Sequence, residues 1–409
     1  MHGDGTKLAN IQNNPPPARL LDVTRLIRRA GRVLTGVDRV EMAYLEAFLA
    51  DPVPIFGLVR TSLGYVLLDH SGLARLRRQL CGQVGFGKPD MLSRLQRGHT
   101  LIQRQALSDV RRLSIGRAVP RRLTKLLKEH LPQNTSYVNV GHSNLTARVL
   151  QGVKTALGAQ ISVMIHDVIP LDFPQFQRSG TVEIFRKKLQ LVRKYADLVI
   201  YNSADTQRCC EIHLAEWGEI PNGIVSHLGT DLPSPDPVIS LPKRPYFVAV
   251  GTIEPRKNHA LLLDIWESLG SDAPELHICG TRGWNNKAVF DRLDSLRDSS
   301  NIFERANLDD FSLAALVQGA QGLLFPSFAE GFGLPPVEAA ALGVPILCND
   351  LEVLREILGD IPVYVKVSDR YLWNKTVKEL AIADPKTRKQ ERYIPTSWNH
   401  HFKVMLSLV

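Results

Sequence analysis

The stretch FPSFAEGFGLPPVEAAALGVP, Phe325 to Pro345, decides how the chain is read. It begins at the end of an apolar run, GLLF, which has the composition of a buried parallel strand. A glycine-rich loop follows, and then Pro335 and Pro336, which suit the first turn of a helix. Gly343 suits that helix's exit. In open sheets of parallel strands, ligands sit beyond the carboxyl ends of the strands. The loop Ser327–Leu334 therefore lies where a ligand is expected. Gly331 and Gly333 allow backbone N–H groups to approach that ligand closely. The helix N-terminus favours an anion. Glu330 falls in the loop and Glu338 is read in the first helical turn. There Glu338 either contacts a ligand or merely complements the helix dipole.

A second stretch, YFVAVGTIEPRKNHALLLDIW, repeats the strand–loop–helix pattern. Arg256 and Lys257 stand directly before Asn258, which is read as the N-cap. Two cations at the positive end of a helix repel it and each other. A bound dianion would compensate both, with Arg as a planar fork and Lys as a point charge.

Outward from these two stretches the same alternation continues. ELHICG, NIFER and VPILCND read as strands, each followed by a helical segment. The expectation is a mostly parallel sheet with helices on both faces. Five prolines, Pro233, Pro235, Pro237, Pro242 and Pro245, precede this half and disfavour both helix and central strand. Before them ARLLDVTRLI, VPIFGLV, SYVNVG, ISVMIHDVIP, ADLVIYNS and GIVSHLG read as strands. VDRVEMAYLEAFLA has helical spacing, with Val40, Ala43, Tyr44, Ala47 and Phe48 on one face. The division expected is an unstructured segment 1–18, a first α/β domain 19–232, a linker 233–245, a second α/β domain 246–385 and a C-terminal segment 386–409 that returns to the first domain. With 409 residues, two domains are the natural expectation.

The two glutamates eight positions apart, the VGTIEPRKN stretch and FPSFAEGFGLPPVEA together resemble the retaining glycosyltransferases of family four, the group-one glycosyltransferases. The resemblance is clear from about Tyr246 to Asp350. It is weaker in the first half, where TGVDRVEMAY resembles a glycine loop with its helix and MIHDVIPLDFP a histidine strand. The fold it implies is GT-B, two Rossmann-like doubly wound domains facing a central cleft. On these positions it implies that Arg256 and Lys257 bind the diphosphate of a nucleotide-sugar donor. Glu330 would hold donor-sugar hydroxyls, with Gly331 easing the approach. The N–H groups of Phe332, Gly333 and Leu334 would meet sugar and phosphate, and Glu338 the ribose. Gly36 would approach the phosphate from the first domain. The loop TGVDRVE has one glycine where many members have two. His166, at the end of an apolar strand, is assigned with Glu330 to the catalytic centre, and Asp167 beside it orients the loop or touches the acceptor.

The function implied is retaining transfer of a hexose, mannose as first choice, to a saccharide or lipid-linked saccharide in polysaccharide or lipopolysaccharide assembly. No carboxylate stands out as a nucleophile, so a front-face route is expected. No Asp-x-Asp triplet occurs, so neither metal nor cofactor is expected. The alternatives are a GT-B sugar-nucleotide epimerase and a basic nucleic-acid-binding protein. Walker and G-x-G-x-x-G sequences are absent, against an ATPase or a dehydrogenase.

The chain carries +9 in all, yet Ser71–His130 alone holds fourteen basic and three acidic residues, an excess of +11. Solvated helix faces, nucleic acid or an anionic membrane surface would each account for this. No aromatic stacking motif or zinc-finger spacing accompanies the charge, against nucleic acid. The leucine stripes in it (Leu73, Leu76, Leu80 and Leu123, Leu126, Leu127, Leu131) face either a membrane or the core. Cys81, Cys209, Cys210, Cys279 and Cys348 show no metal-ligand spacing and read as reduced and buried, pointing to the cytoplasm. Neither a signal-peptide core nor a spanning segment is found, so a peripheral place on the membrane's inner face is the furthest extension of that expectation.

Overall fold

The computed structural model describes residues 15–94, 98–232, 234–238, 240–296, 301–383 and 393–409. Arg97, Pro233 and most of the 1–18 segment lie outside the described residues. Ala18 does not: it is buried, and its carbonyl accepts a bond from Ser136 N at 2.9 Å. Ordered chain therefore starts before Arg19.

The first sheet holds β1 (Arg19–Asp22), β2 (Ile55–Thr61), β3 (Gly64–Leu68), β4 (Gly116–Ala118), β5 (Ser136–Asn139), β6 (Ile161–Ile165), β7 (Leu198–Tyr201) and β8 (Asn222–Val225). Their order is β4-β3-β2-β1-β5-β6-β7-β8. All neighbours are parallel except β2/β3 and β3/β4. The second sheet holds β9 (Tyr246–Val250), β10 (Glu275–Cys279), β11 (Ile302–Arg305), β12 (Gly322–Phe325), β13 (Ile346–Cys348) and β14 (Val363–Tyr364). Its order is β11-β10-β9-β12-β13-β14, wholly parallel. Strands β5, β7 and β12 are buried along their whole length, which is why they read as unbroken apolar runs.

In the second sheet the strand order reverses between β9 and β12, and in the first between β1 and β5. Crevices beyond the carboxyl ends at such reversals are where doubly wound sheets bind ligands. The loop after β9 carries Arg256 and Lys257, and the loop after β12 carries Glu330. The fold thus puts the two stretches singled out in the sequence side by side.

Several expectations are corrected. ARLLDVTRLI is not one strand: β1 stops at Asp22, whose Oδ1 accepts from Thr24 N at 3.1 Å, and a helix Thr24–Arg28 begins. Strand β2 stands where VPIFGLV was read, whereas β3 and the short β4 were not read and make one edge antiparallel. Cys81 is exposed and Cys209 half-buried, so only three of the five cysteines are buried. Asn258 takes a left-handed conformation, φ 53°, and its side chain makes no cap bond. The leucine question is settled for most of the stripe. Leu73 and Leu76 are fully buried, and Leu123, Leu126, Leu127 and Leu131 nearly so.

The helix Trp398–Met405 packs on the first domain. Its His401 is wholly buried, with Nε2 2.9 Å from Tyr44 Oη and Nδ1 2.9 Å from Ser226 Oγ. Arg19, equally buried, pairs with Asp51 at 2.6 Å and donates to the carbonyls of Val409 and Leu406 at 2.6 and 2.9 Å. The last turn of the chain is thereby tied to β1. Among the described residues no helix is long and apolar enough to cross a membrane.

Candidate active site

After β9 the chain makes a single turn of 3₁₀ helix, Pro255–Lys257, before the helix His259–Leu269. This turn aims both cations at the loop that follows β12. Lys257 Nζ lies 2.6 Å and Arg256 Nη1 2.8 Å from the same oxygen, Glu330 Oε1. Arg256 also pairs with Glu254 at 2.9 Å and donates to the Ala329 carbonyl at 2.6 Å. Lys257 Nζ stands over the Phe325 ring, 4.6 Å from its centre. Burial alone would push the Glu330 carboxyl up. Arg256 and Lys257 overcome it and hold the carboxyl at about 2. Burial pulls Lys257 below its ordinary range even with Glu330 alongside. The two cations are thus balanced by two carboxylates before any ligand arrives. This corrects the expectation that only a bound dianion would compensate the two cations.

The Glu330–Leu334 loop is clamped from the first domain. Ser203 Oγ and Thr206 Oγ1 each donate to the Gly331 carbonyl at 3.1 Å. A Cβ on Gly331 would stand 2.0 Å from the His166 carbonyl oxygen, so no other residue fits there. Gly333 has φ +94°, again a glycine conformation. The helix Leu334–Ala341 starts immediately after. None of the N–H groups of Gly331, Phe332, Gly333 and Leu334 has a hydrogen-bond partner among the described residues. Phe332 and Gly333 are buried. Four consecutive free donors beside a helix N-terminus form a cradle for an anionic oxygen. Gly36, the first residue of the helix Gly36–Ala50, faces this cradle: a Cβ there would lie 3.2 Å from Leu334 Cδ1.

Glu338 is placed differently from expectation. The helix begins at Leu334, so Glu338 is its fifth residue and lies past the first turn, where the dipole acts most. Its partner is Arg39 of the first domain, Nη1 to Oε1 at 2.6 Å, and Arg39 also pairs with Asp310 at 2.6 Å. Burial raises the Glu338 carboxyl in spite of Arg39. Sequence reasoning missed Arg39. It stood inside TGVDRVE, but nothing local signals a partner 299 positions away.

His166 follows β6 and is 7% exposed. Its Nε2 lies 2.6 Å from the Val140 carbonyl and so must carry the proton. Burial holds the imidazolium form down to a pKa of about 4. The ring is therefore neutral at physiological pH, with Nδ1 left as an acceptor. His142, another residue the sequence did not flag, stacks obliquely on it with ring centres 5.2 Å apart. Asp167 is raised by burial, with Arg256 opposing. A Cβ on Gly331 would lie 3.0 Å from Asp167 Cβ, which places Asp167 beside the donor-side loop. Among the described residues no group of three or more His, Cys, Asp or Glu could hold a metal ion.

Two parallel-sheet domains with their reversal points facing one cleft define the GT-B class. A solved structure of Anabaena Alr3699/HepE in complex with UDP and glucose aligns over 96% of this chain and 95% of its own, with a TM-score of 0.60 at 14% identity. TarM aligns over 73% of the chain with a TM-score of 0.50 at 13% identity. Residues 236–393 match the family described as glycosyl transferases group 1. The similarity to group 1 glycosyl transferases thus covers the second half of the chain. Among curated proteins it is 32% identical over 223 residues to the serotype-specific mannosyltransferase WbdA of Escherichia coli. That alignment covers 49% of this chain and 27% of the relative. The O-antigen chain mannosyltransferase RfbU of Salmonella typhimurium is 26% identical, over 54% of this chain and 60% of its own length. The chain therefore spans only about a quarter of the first of these relatives.

Proposed function

We propose that this chain transfers a hexose, mannose first among candidates, from a nucleotide diphosphate sugar to a saccharide or lipid-linked saccharide, with retention of anomeric configuration. The names of the relatives WbdA and RfbU support mannose as the sugar and O-antigen polysaccharide as the setting. The observation that carries the reading is the row of four unpartnered N–H groups, Gly331 to Leu334, directly beside the Arg256–Lys257–Glu330 cluster.

A donor diphosphate seated on those N–H groups shares Arg256 and Lys257 with Glu330. Glu330, ionised throughout the physiological range, accepts from hydroxyls of the donor sugar. Glu338 takes the ribose hydroxyls when Arg39 yields it. The bond from the anomeric carbon to the diphosphate oxygen breaks as the bond to the acceptor oxygen forms on the same face. The acceptor's proton passes to the departing diphosphate. His166 cannot serve as a base that charges near neutrality, so its part is to accept a hydrogen bond at Nδ1 and position a hydroxyl. The protein's contribution is then positioning and stabilisation of the departing charge. Neutralisation by the basic pair makes a metal unnecessary in this scheme. The site faces the cytoplasm in this reading, with the basic 71–130 segment turned to an anionic membrane surface.

The test is a donor screen: GDP-mannose, UDP-glucose and related donors with saccharide acceptors, read by product mass. Transfer from one donor supports the proposal. Absence of both transfer and donor hydrolysis with every donor overturns it.

A further inference from the structure

On the acceptor side, away from the donor cluster, a cavity of about 390 Å³ opens beyond the carboxyl ends of β1 and β2. Its wall comes from three places: the end of the helix Thr24–Arg28 (Ile27, Arg28), the β2–β3 turn (Arg60, Thr61, Ser62) and the entry to the helix Leu101–Arg112 (His99, Gln103, Leu107). Among the described residues no acidic side chain lines it. Neither Arg28 nor Arg60 forms an ion pair among the described residues. Arg60 lies over the Tyr65 ring at 4.8 Å, and its Nη1 is buried without any hydrogen-bond partner. A buried guanidinium nitrogen with nothing to bond to is costly and asks for a missing anion or water.

The rest of the wall is fixed rather than waiting. Gln103 donates to the Arg28 carbonyl at 2.7 Å and accepts from Thr100 N at 3.0 Å, which locks the helix end that presents Arg28. Thr61 donates to the Gly64 carbonyl at 3.2 Å and so sets the turn. The cationic character continues toward the reaction centre. Lys188 donates to the His142 carbonyl at 2.9 Å, beside the His142–His166 pair, and no carboxylate pairs with it among the described residues. It is close enough to Arg28 and Arg25 that, after burial, their charges hold its pKa down. Arg25 is already committed to Asp38 at 2.6 Å. Like charges gathered this way repel unless an anion joins them.

We propose that the Arg28–Arg60 cavity binds a phosphate or diphosphate group carried by the glycosyl acceptor, with Lys188 along the path from that group to His166. The inference rests on the proposed transferase reading, which supplies the acceptor, while the cavity itself is distinct from the donor cluster. Such an anion satisfies Arg60 Nη1 and lies between Arg28 and Arg60. It also makes an acceptor without a phosphate a poor substrate.

The experiment titrates the full chain with inorganic pyrophosphate by calorimetry after the donor site has been saturated with GDP or UDP. One equivalent of pyrophosphate should still bind. In the R28Q/R60Q variant that binding should weaken tenfold or more, because two charge-assisted contacts are gone, while nucleotide affinity stays unchanged. R28Q alone, at an exposed position, should give an intermediate loss and guards against misfolding of the double variant. Dodecyl diphosphate in place of pyrophosphate distinguishes the source. Tighter binding than pyrophosphate assigns the group to a lipid carrier, and equal binding to a phosphorylated saccharide. Pyrophosphate binding that is absent once the nucleotide is bound, or that is equal in wild type and R28Q/R60Q, overturns the proposal. Should neither nucleotide bind, the donor reading falls, and the comparison of wild type with R28Q/R60Q in pyrophosphate alone still decides the cavity.

Discussion

Replacing Glu330 by Gln keeps the shape of the side chain and removes its charge from between Arg256 and Lys257, 2.8 and 2.6 Å away. The carboxyl is held at about 2 in the folded protein against an ordinary value of 4.5. At about 1.4 kcal/mol per unit, that depression contributes on the order of 3 kcal/mol to folding at neutral pH. The amide cannot supply this, and Lys257 loses the neighbour that opposes its burial. Because the folded pKa lies below the unfolded one, the contribution is present in full above about pH 4.5 and is lost as the pH falls toward 2. At pH 3 roughly half should remain. The assay is urea unfolding of wild type and E330Q at pH 7, 5 and 3, with donor turnover measured in parallel at pH 7. The gap in stability should be equal at pH 7 and 5 and should narrow at pH 3, and turnover should fall. A gap that is absent, or that does not change with pH, refutes the ion-pair reasoning.

Lys257→Ala should weaken donor-stage catalysis about 10–150-fold, the range for one charge-assisted contact, and should also lower Tm, because Glu330 loses one of its two cations. Donor titration and thermal scans read both effects. Glu338→Gln should raise the donor KM about tenfold with little change in kcat, since its role is ribose contact; unchanged KM with only a lower Tm would make the Arg39 pair purely structural. His166→Ala should cost about fivefold to tenfold, one hydrogen bond, and the wild-type kcat profile should show no step between pH 5.5 and 7.5, because burial keeps the ring neutral there. Activity should survive excess EDTA; loss that Mn²⁺ or Mg²⁺ restores would reveal a ligand set the reasoning missed.

What the sequence shows well is what depends on short-range pattern. The central strands of the second sheet, β9, β10, β12 and β13, are buried almost throughout and read as apolar runs, and the helices His259–Leu269 and Glu352–Leu358 follow such runs. Glu330 and the Arg256–Lys257 pair were legible because loops after parallel strands converge at a reversal of strand order. Their mutual ion pairing was not, since it joins positions 73 apart. The pairing of Glu338 with Arg39 was hidden for the same reason. Strand β3 is as apolar and buried as its neighbours, and only its antiparallel pairing with β2 sets it apart. The end of β1 at Asp22 turns on one side-chain bond to Thr24 N. The leucine stripes left membrane and core open, and only packing decided for the core.

Retaining transfer from a nucleotide sugar leaves its mark on the product. The direct measurement is the anomeric configuration of the product, read by NMR coupling constants after reaction of GDP-mannose, or the donor the screen selects, with a phosphorylated saccharide acceptor. The glycosidic bond should have the same configuration as the donor's bond to diphosphate. A product with the opposite configuration would contradict it.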